Sequence, residues 1–228
     1  MIARLVEFAD IGDEVRHFVF EADGKELDFL PGQFVSFIET IDGKKLTRAY
    51  SIASPPYGPL FELCLNRVKE GKLSPHLFEM QVGDTIEMQG PLGYFVLRHP
   101  VSDSVFVATG TGISPFRAML KDHLPNDAKH QFTLIFGVRY ERNIMYRDEF
   151  EKLAAHHPNF HFWPTLSRPE EGWGGRTGHV QTHLEEALGE RRDIDVYICG
   201  LKAMVDDVRQ RLKDMGFDRK RIIYEKYD

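Results

Sequence analysis

Three stretches carry residue types at spacings that could handle a charged, flat ligand. The run Val105-Phe106-Val107-Ala108-Thr109-Gly110-Thr111-Gly112-Ile113-Ser114-Pro115-Phe116 empties an apolar, β-prone segment into a Gly-x-Gly turn ahead of a helical pattern. Glycine lets a backbone turn sharply and approach an anion, and a helix start offers free N–H groups and a positive dipole end. Gly110, Thr111 and Gly112 are therefore candidates for cradling a phosphate. The third glycine of a dinucleotide fingerprint is missing, and Pro115 stands there, a residue tolerated at the first helical position. An ordinary strand–helix turn fits the same residues. The second stretch, Arg48-Ala49-Tyr50-Ser51-Ile52-Ala53-Ser54, puts a cation, an aromatic and a hydroxyl on one strand-like run. Side chains alternate along a strand, so Arg48 and Tyr50 share a face and Ser51 takes the other. The third, Leu65-Asn66-Arg67-Val68-Lys69-Glu70-Gly71-Lys72-Leu73-Ser74, places a glycine turn before a short helix expected to start near Ser74. Free N–H groups and the Ser74 hydroxyl there could hold a second phosphate, or Ser74 could simply cap the helix.

Further along, three arginines could meet a phosphate dianion. Arg139 ends Leu134-Ile135-Phe136-Gly137-Val138, Arg168 follows Thr165-Leu166-Ser167, and Arg176 lies in Gly174-Gly175-Arg176-Thr177-Gly178. The first two sit just beyond apolar runs, where ligands bind in open α/β sheets. Glu170 and Glu171 are close enough in sequence to weaken such an anion site, and exposed, solvated charges are the competing reading. Cys199-Gly200 closes Asp195-Val196-Tyr197-Ile198, where a lone cysteine reads first as a buried core thiol.

The elements that must position these residues fall into two halves. Up to about residue 99 the chain reads as short strands split by turn residues: 16–20 before Ala22-Asp23-Gly24, 32–38 before Asp42-Gly43, then 60–65 and 85–88. That pattern predicts an antiparallel barrel or sandwich. From about Val101, apolar runs at 105–108, 132–137, 160–163 and 195–199 alternate with helical stretches at 115–124, 147–156, 179–188 and 201–215. Strands alternating with helices predict a parallel, doubly wound sheet. The expected domains are 1–99 and 100–228, with a ligand cleft between them.

Bulk properties narrow the classes. A net charge of −6 over 228 residues argues against nucleic acid as the main partner, and no apolar run is long enough to span a bilayer. Acidic residues come too early for a signal peptide, and two cysteines far apart fit a reduced, cytoplasmic setting and no iron–sulfur spacing. His156, His157 and His161 lack a carboxylate or thiol at ligand spacing, so no metal is expected, and no Ser–His–Asp pattern is present.

Pro31-Gly32-Gln33-Phe34, Arg48-Ala49-Tyr50-Ser51, Gly71-Lys72-Leu73-Ser74, Gly90-Pro91-Leu92-Gly93-Tyr94-Phe95, Gly110-Thr111-Gly112-Ile113-Ser114-Pro115, Cys199-Gly200 and Glu225-Lys226-Tyr227 occur in this order. Together they resemble the ferredoxin–NADP reductase family, over essentially the whole chain, with Arg-x-Tyr-Ser the most specific piece. The resemblance implies an antiparallel FAD-binding β-barrel followed by a doubly wound NADP-binding domain. It implies that Arg48 meets an FAD phosphate, that Tyr50 stacks on the flavin, and that Ser51 lies near flavin N5. It also places Ala49, Leu65, Asn66, Arg67, Val68, Gly71, Lys72, Leu73, Ser74, Thr111 and Tyr227 around FAD. Gly110, Thr111, Gly112, Arg139, Ser167, Arg168, Arg176, Cys199 and Gly200 would face NADP(H). Ser51, Cys199, Glu225 and Tyr227 would be catalytic, with Tyr227 stacked where nicotinamide enters. Asp228, beyond the Tyr, departs from the family pattern. The implied activity is hydride transfer between NADP(H) and FAD, with single electrons passed to or from ferredoxin or flavodoxin. Lys44, Lys45, Arg67, Lys69 and Lys72 are candidates for a basic face toward such a carrier. Alternatives are an NAD(P)H-dependent reductase component of an oxygenase system, a flavin reductase, and a non-catalytic nucleotide-binding module.

Overall fold

A computed structural model describes residues 1–23 and 26–227. Gly24, in the expected turn, and the terminal Asp228 lie outside the described residues. The chain forms two compact units: Met1–Leu97 with Ser114–Asp122, and Arg98–Ile113 with His123–Asp228.

In the first unit, β1 (Ile2–Gly12), β2 (Val15–Ala22), β3 (Phe34–Ile41), β4 (Lys44–Ser51), β5 (Leu60–Asn66) and β6 (Thr85–Leu92) form one antiparallel sheet. Its order is β4-β3-β6-β1-β2-β5. The two edge strands approach each other through an antiparallel bridge between Ile52 and Leu63, which rolls the sheet toward a barrel. Inward positions follow the two-residue period: Phe18 and Phe20 from β2, Val35 and Phe37 from β3, Phe61 and Leu63 from β5 are fully buried. The Phe20 and Phe37 rings meet edge-on at 4.9 Å. Each such side chain contributes roughly 1.5–3 kcal/mol of burial. The helix α1 (Leu73–Glu79) adds Leu73 and Leu77 to this core. Its N-cap position is Lys72, without a side-chain cap, so Ser74 sits inside the helix and is not its cap.

The second unit holds β7 (Ser104–Thr109), β8 (Phe132–Val138), β9 (Phe160–Leu166), β10 (Arg176–Thr177), β11 (Asp195–Leu201) and β12 (Ile222–Tyr227), all parallel, in the order β10-β9-β8-β7-β11-β12. The chain starts at β7, builds outward through β8, β9 and β10, then returns to the other side of β7 for β11 and β12. The sheet therefore reverses direction between β7 and β11, the topological switch point where ligands bind at strand C-termini. Both faces are covered, as a parallel sheet requires. Val105, Val107, Val196 and Ile198 pack against α4 (Leu184–Leu188) and the Met204, Val205, Val208, Leu212 stripe of α5 (Lys202–Asp214). On the other face Phe106 stacks on Tyr197 at 5.2 Å, and Phe150 of α3 (Arg147–His156) stacks on Phe162 at 5.1 Å. The helix α2 (Ser114–His123) follows β7 in sequence, and its residues 114–122 cluster with the first unit.

Of the four helices expected after Val101, one differs from expectation. The stretch 179–188 splits into a 3₁₀ turn, Val180–His183, and the short α4. The His183 ring is held at 2.9 Å from the Thr165 hydroxyl of β9, which fixes the turn against the sheet.

Candidate functional site

The C-terminal ends of the parallel strands gather most of the second-half candidates. Register places Ala108 beside Cys199 and Cys199 beside Glu225, and puts Leu201 opposite Tyr227. Gly110, Thr111, Gly112 and Ile113 form a 3₁₀ turn directly after β7, and Pro115 falls in the first turn of α2.

The two glycines of that turn have different physical reasons. Gly110 has φ +55°, and a Cβ there would meet nothing within 4 Å. It is glycine for its conformation, and it leaves open space beside the backbone. At Gly112 a Cβ would lie 2.4 Å from the Cys199 carbonyl oxygen and 2.8 Å from the Gly200 Cα. It is glycine because β11 packs against it. Gly200, at φ +143°, returns the contact: a Cβ there would lie 2.4 Å from Thr109 Oγ1. That hydroxyl oxygen is buried and makes no hydrogen bond in the structure, an orphaned polar atom that an incoming polar group can satisfy.

Cys199 is fully buried and unpaired in a disulfide. Burial and the neighbouring Glu225 charge push its thiol well above the ordinary range, against an opposing hydrogen bond with Tyr227. The hydrogen bond with Tyr227 ties this buried thiol to the aromatic end of β12.

The three arginines separate. The Arg168 N–H donates to the Arg139 carbonyl at 2.9 Å, and the Ser167 N–H to the Val138 carbonyl at 3.0 Å, so the ends of β8 and β9 are stitched together. The Arg139 and Arg168 side chains are exposed, and neither forms an ion pair among the described residues. Glu170, which threatened this site in the sequence, is drawn off by Arg142 at 2.9 Å. Arg176 is different. Its guanidinium makes a two-pronged pair with Glu186 at 2.5 and 2.7 Å and lies 3.8 Å over the Trp163 ring. It is spoken for in this structure.

In the first unit, β4 and β5 end the sheet order, and isolated antiparallel bridges join Ile52 to Leu63 and Tyr57 to Leu60. Arg48, Ala49 and Tyr50 lie on one of these edges, Leu65 and Asn66 on the other. Arg48 and Tyr50 pair with Phe37 and Val35 of β3 and so share a face, while Ser51 lies on the opposite face and is buried. The Tyr50 ring rests 5.7 Å from Phe37, and burial pushes its hydroxyl up to about 12, against the Arg48 charge. Arg48 is exposed, with one guanidinium N–H donating to the Thr47 carbonyl at 2.8 Å. Asn66, Arg67 and Val68 are exposed in the following loop, and Gly71 turns it. The Ser74 hydroxyl accepts the Val68 N–H at 3.0 Å, which staples the loop and leaves the hydroxyl hydrogen to donate elsewhere. Lys72 pairs with Asp42 at 2.5 Å, which removes one cation from the expected basic face. These edges offer a flat aromatic, an exposed guanidinium and a glycine turn, groups that suit an isoalloxazine ring and a pyrophosphate.

Gln33 and Gly32, within the Pro31-Gly32-Gln33-Phe34 motif, and Arg117, outside every motif, act as positioning residues. Gln33 accepts the Leu30 N–H at 2.9 Å and donates to the Gly93 carbonyl at 3.0 Å, locking two glycine turns together. Gly32, at φ +104°, sits where a Cβ would strike the Phe95 carbonyl at 2.0 Å. Arg117, on α2, is buried and paired with Glu62. A charged residue on an otherwise apolar helix face is the one signal the sequence holds for it. Among the described residues no cluster of His, Cys, Asp and Glu could hold a metal, and no helix is long and apolar enough to cross a membrane.

Comparison with known proteins agrees with this geometry. An oxidoreductase FAD-binding domain family matches residues 2–97, and an oxidoreductase NAD-binding domain family matches residues 106–210. The chain is 41% identical over 237 residues to ferredoxin--NADP reductase B of Sorangium cellulosum (strain So ce56), covering 99% of this chain and 97% of that protein. It is 32% identical over 203 residues to the toluate 1,2-dioxygenase electron transfer component of Pseudomonas putida, covering 89% of this chain and 60% of that protein. Among solved structures, a ferredoxin NADP+ reductase from Neisseria gonorrhoeae with bound FAD and NADP is similar, with a TM-score of 0.86 and 25% identity, covering 99% of this chain and 98% of that one. An antiparallel flavin-type barrel, a doubly wound sheet with its glycine turn at the switch point, and near-complete overlap with one such enzyme lead to one assignment: the chain belongs to the ferredoxin–NADP reductase family of FAD- and NAD(P)-binding oxidoreductases.

Proposed function

We propose that this protein is a ferredoxin–NADP(+) reductase, moving hydride between NADP(H) and FAD and single electrons to or from ferredoxin or flavodoxin. FAD belongs to residues 1–99 and NADP(H) to residues 100–228. Bound FAD supplies the conversion between two-electron and one-electron chemistry. The protein's own residues bind, orient and tune. Arg48 would meet an FAD phosphate, Tyr50 would offer a flat face to the ring, and Ser51 would lend it a hydroxyl. Gly110 leaves room for the dinucleotide pyrophosphate at the helix start. Cys199 and Glu225 border the nicotinamide, with Glu225 able to hold a proton, and Tyr227 gates its access.

The choice of NADP over NAD rests on one observation. Arg139 and Arg168 stand side by side at the ends of β8 and β9, exposed and without a carboxylate partner among the described residues. Two uncommitted guanidinium groups suit a phosphate dianion, whereas a ribose hydroxyl calls for an acid. A second reading, a reductase component feeding an oxygenase, is favoured by the likeness to the Pseudomonas putida protein and by the commitment of Arg176 to Glu186. An absorbance spectrum of the purified protein, taken before and after NADPH and then NADH, separates the two. The expected result is a flavin spectrum that survives gel filtration and bleaches with NADPH far faster than with NADH. Equal bleaching overturns the NADP assignment, and loss of flavin on the column points to a flavin reductase.

A further inference from the structure

The group that this mechanism leaves unused is the buried ion pair between Arg117 and Glu62. Arg117 lies on α2, four residues after Ile113, with 5% of its surface exposed. Its guanidinium donates to the Ala53 carbonyl at 2.7 Å and pairs with the Glu62 carboxylate. Ala53 is two residues beyond Ser51. Glu62 grips the same segment from β5. Its carbonyl accepts the Ala53 N–H at 2.7 Å, and its own N–H donates to Ser54 Oγ at 3.1 Å. Its carboxylate also accepts the Tyr57 hydroxyl at 2.7 Å and faces His17 at 3.7 Å. Burial opposes ionisation of Glu62, but Arg117, the Tyr57 hydroxyl and His17 outweigh it and hold the carboxyl below its usual range. With the Ile52 N–H on the Gln33 carbonyl at 2.9 Å, every residue from Ile52 to Ser54 is fastened.

A buried ion pair is weak evidence for stability, because well-packed apolar residues of similar volume often serve as well. What an apolar pair does not supply is a charged donor on the Ala53 carbonyl. We infer that Arg117, held by Glu62, is a positioning residue that fixes the segment after Ser51 and links it to the nucleotide turn at the head of its own helix. The link is covalent and short. The Gly110–Ile113 turn runs straight into α2, and α2 carries the guanidinium that holds Ala53. A displacement of that turn is carried along α2 to the guanidinium that holds Ala53. The inference rests on the FAD and NADP(H) reading given above.

The test uses the flavin-loaded protein and its flavin-free form, as wild type, as Glu62→Gln, and as Glu62→Leu combined with Arg117→Met. The double variant is expected to unfold at nearly the wild-type temperature. The Ser54 amide, on the peptide whose carbonyl Arg117 holds, and the Ala53 amide beside it should exchange with solvent about tenfold faster in the flavin-free form, since the charge-assisted hydrogen bond on the Ala53 carbonyl is gone. The change in the flavin absorbance spectrum caused by NADP+ should be lost or strongly reduced. Glu62→Gln, which keeps an acceptor for Tyr57 and lacks the charge, should fall between. Wild-type exchange at residues 52–54 together with a wild-type NADP+ difference spectrum, in either variant, overturns the inference. A fall in unfolding temperature with both of those readouts unchanged also overturns it, since the pair is then structural alone. If the wild type binds no flavin or gives no NADP+ response, the functional reading fails, and the exchange measurement still decides whether Arg117 holds the segment.

Discussion

Gly110 and Gly112 are two residues apart in one turn, yet alanine at each should do different things. At Gly112 the added Cβ would meet the Cys199 carbonyl oxygen at 2.4 Å, its carbon at 2.6 Å and the Gly200 Cα at 2.8 Å. All three are backbone atoms of a central strand hydrogen-bonded on both sides, β7 and β12, so none can step aside without moving the sheet. Overpacking of this kind costs about 3 kcal/mol or somewhat more. For a chain of this size that lowers Tm by roughly 6–12 °C. At Gly110 nothing lies within 4 Å, and only the φ of +55° is unfavourable to alanine. That conformation costs about 1–2 kcal/mol, partly offset by about 0.4–1 kcal/mol from a stiffer unfolded chain. The net shift is about 0–6 °C.

Tryptophan fluorescence is the assay, because Trp163 and Trp173, the two tryptophans, both lie in the second unit and report its unfolding alone. Gly110→Ala should keep most of its stability and lose nucleotide affinity, because the methyl takes up the open space beside the turn. Gly112→Ala should lose stability first. If Gly110→Ala is as destabilising as Gly112→Ala, or Gly112→Ala is neutral, the division of roles between the two glycines is wrong.

Other outcomes follow from the same geometry. Arg168→Ala should raise the Michaelis constant for NADPH about tenfold, the worth of one charged contact, and leave NADH within about twofold in a dye-reduction assay; equal effects would refute 2′-phosphate binding there. Tyr227→Ser should tighten nicotinamide binding and slow its release, whereas Tyr227→Phe should keep wild-type kinetics; unchanged NADP(H) affinity in the serine variant would count against stacking. Asp127 is held well below the usual carboxylate range: burial opposes its charge, but the His130 amide and ring, the His123 ring and the Lys129 amide outweigh it. A depressed folded-state value stabilises above the ordinary carboxylate pKa of about 3.9 and is lost as pH falls below it. Asp127→Asn should therefore cost about 1–3 kcal/mol at pH 7, with the gap to wild type closing below about pH 4 in urea titrations; a pH-independent gap would refute the assignment.

Much of this arrangement is legible in local sequence, and the exceptions have physical causes. The helix expected at 147–156 occupies Arg147–His156, because its apolar spacing and flanking breakers are all within a few residues of it. By contrast β1, the longest strand, shows poor alternation. Its register slips between Leu5 and Glu7 and again between Asp10 and Gly12, and each slip exchanges the inward and outward faces. Val6 is exposed as a result. Gly112 shows a different limit. A glycine before a helix suggests close approach of a phosphate, and here the close approach is by Cys199, eighty-seven positions on in the chain.

The arginines carry the point further. Arg139, Arg168 and Arg176 are equivalent by type and by their places after strands or in a glycine-rich turn. What distinguishes them is whether a carboxylate reaches them first. Glu186 comes to Arg176 from α4, and Arg142 removes Glu170 from the neighbourhood of Arg168. A cation that is already paired must break that pair to bind an anion, while an unpaired one gives up only water, so the two classes should differ in their contribution to nucleotide choice. Arg117 is the converse case. Its pairing with Glu62 makes it useless as an anion site and suits it to hold a backbone carbonyl in place. Residue type therefore nominates a site in this protein, and the partner each charge finds across the fold decides whether it binds, positions or merely packs.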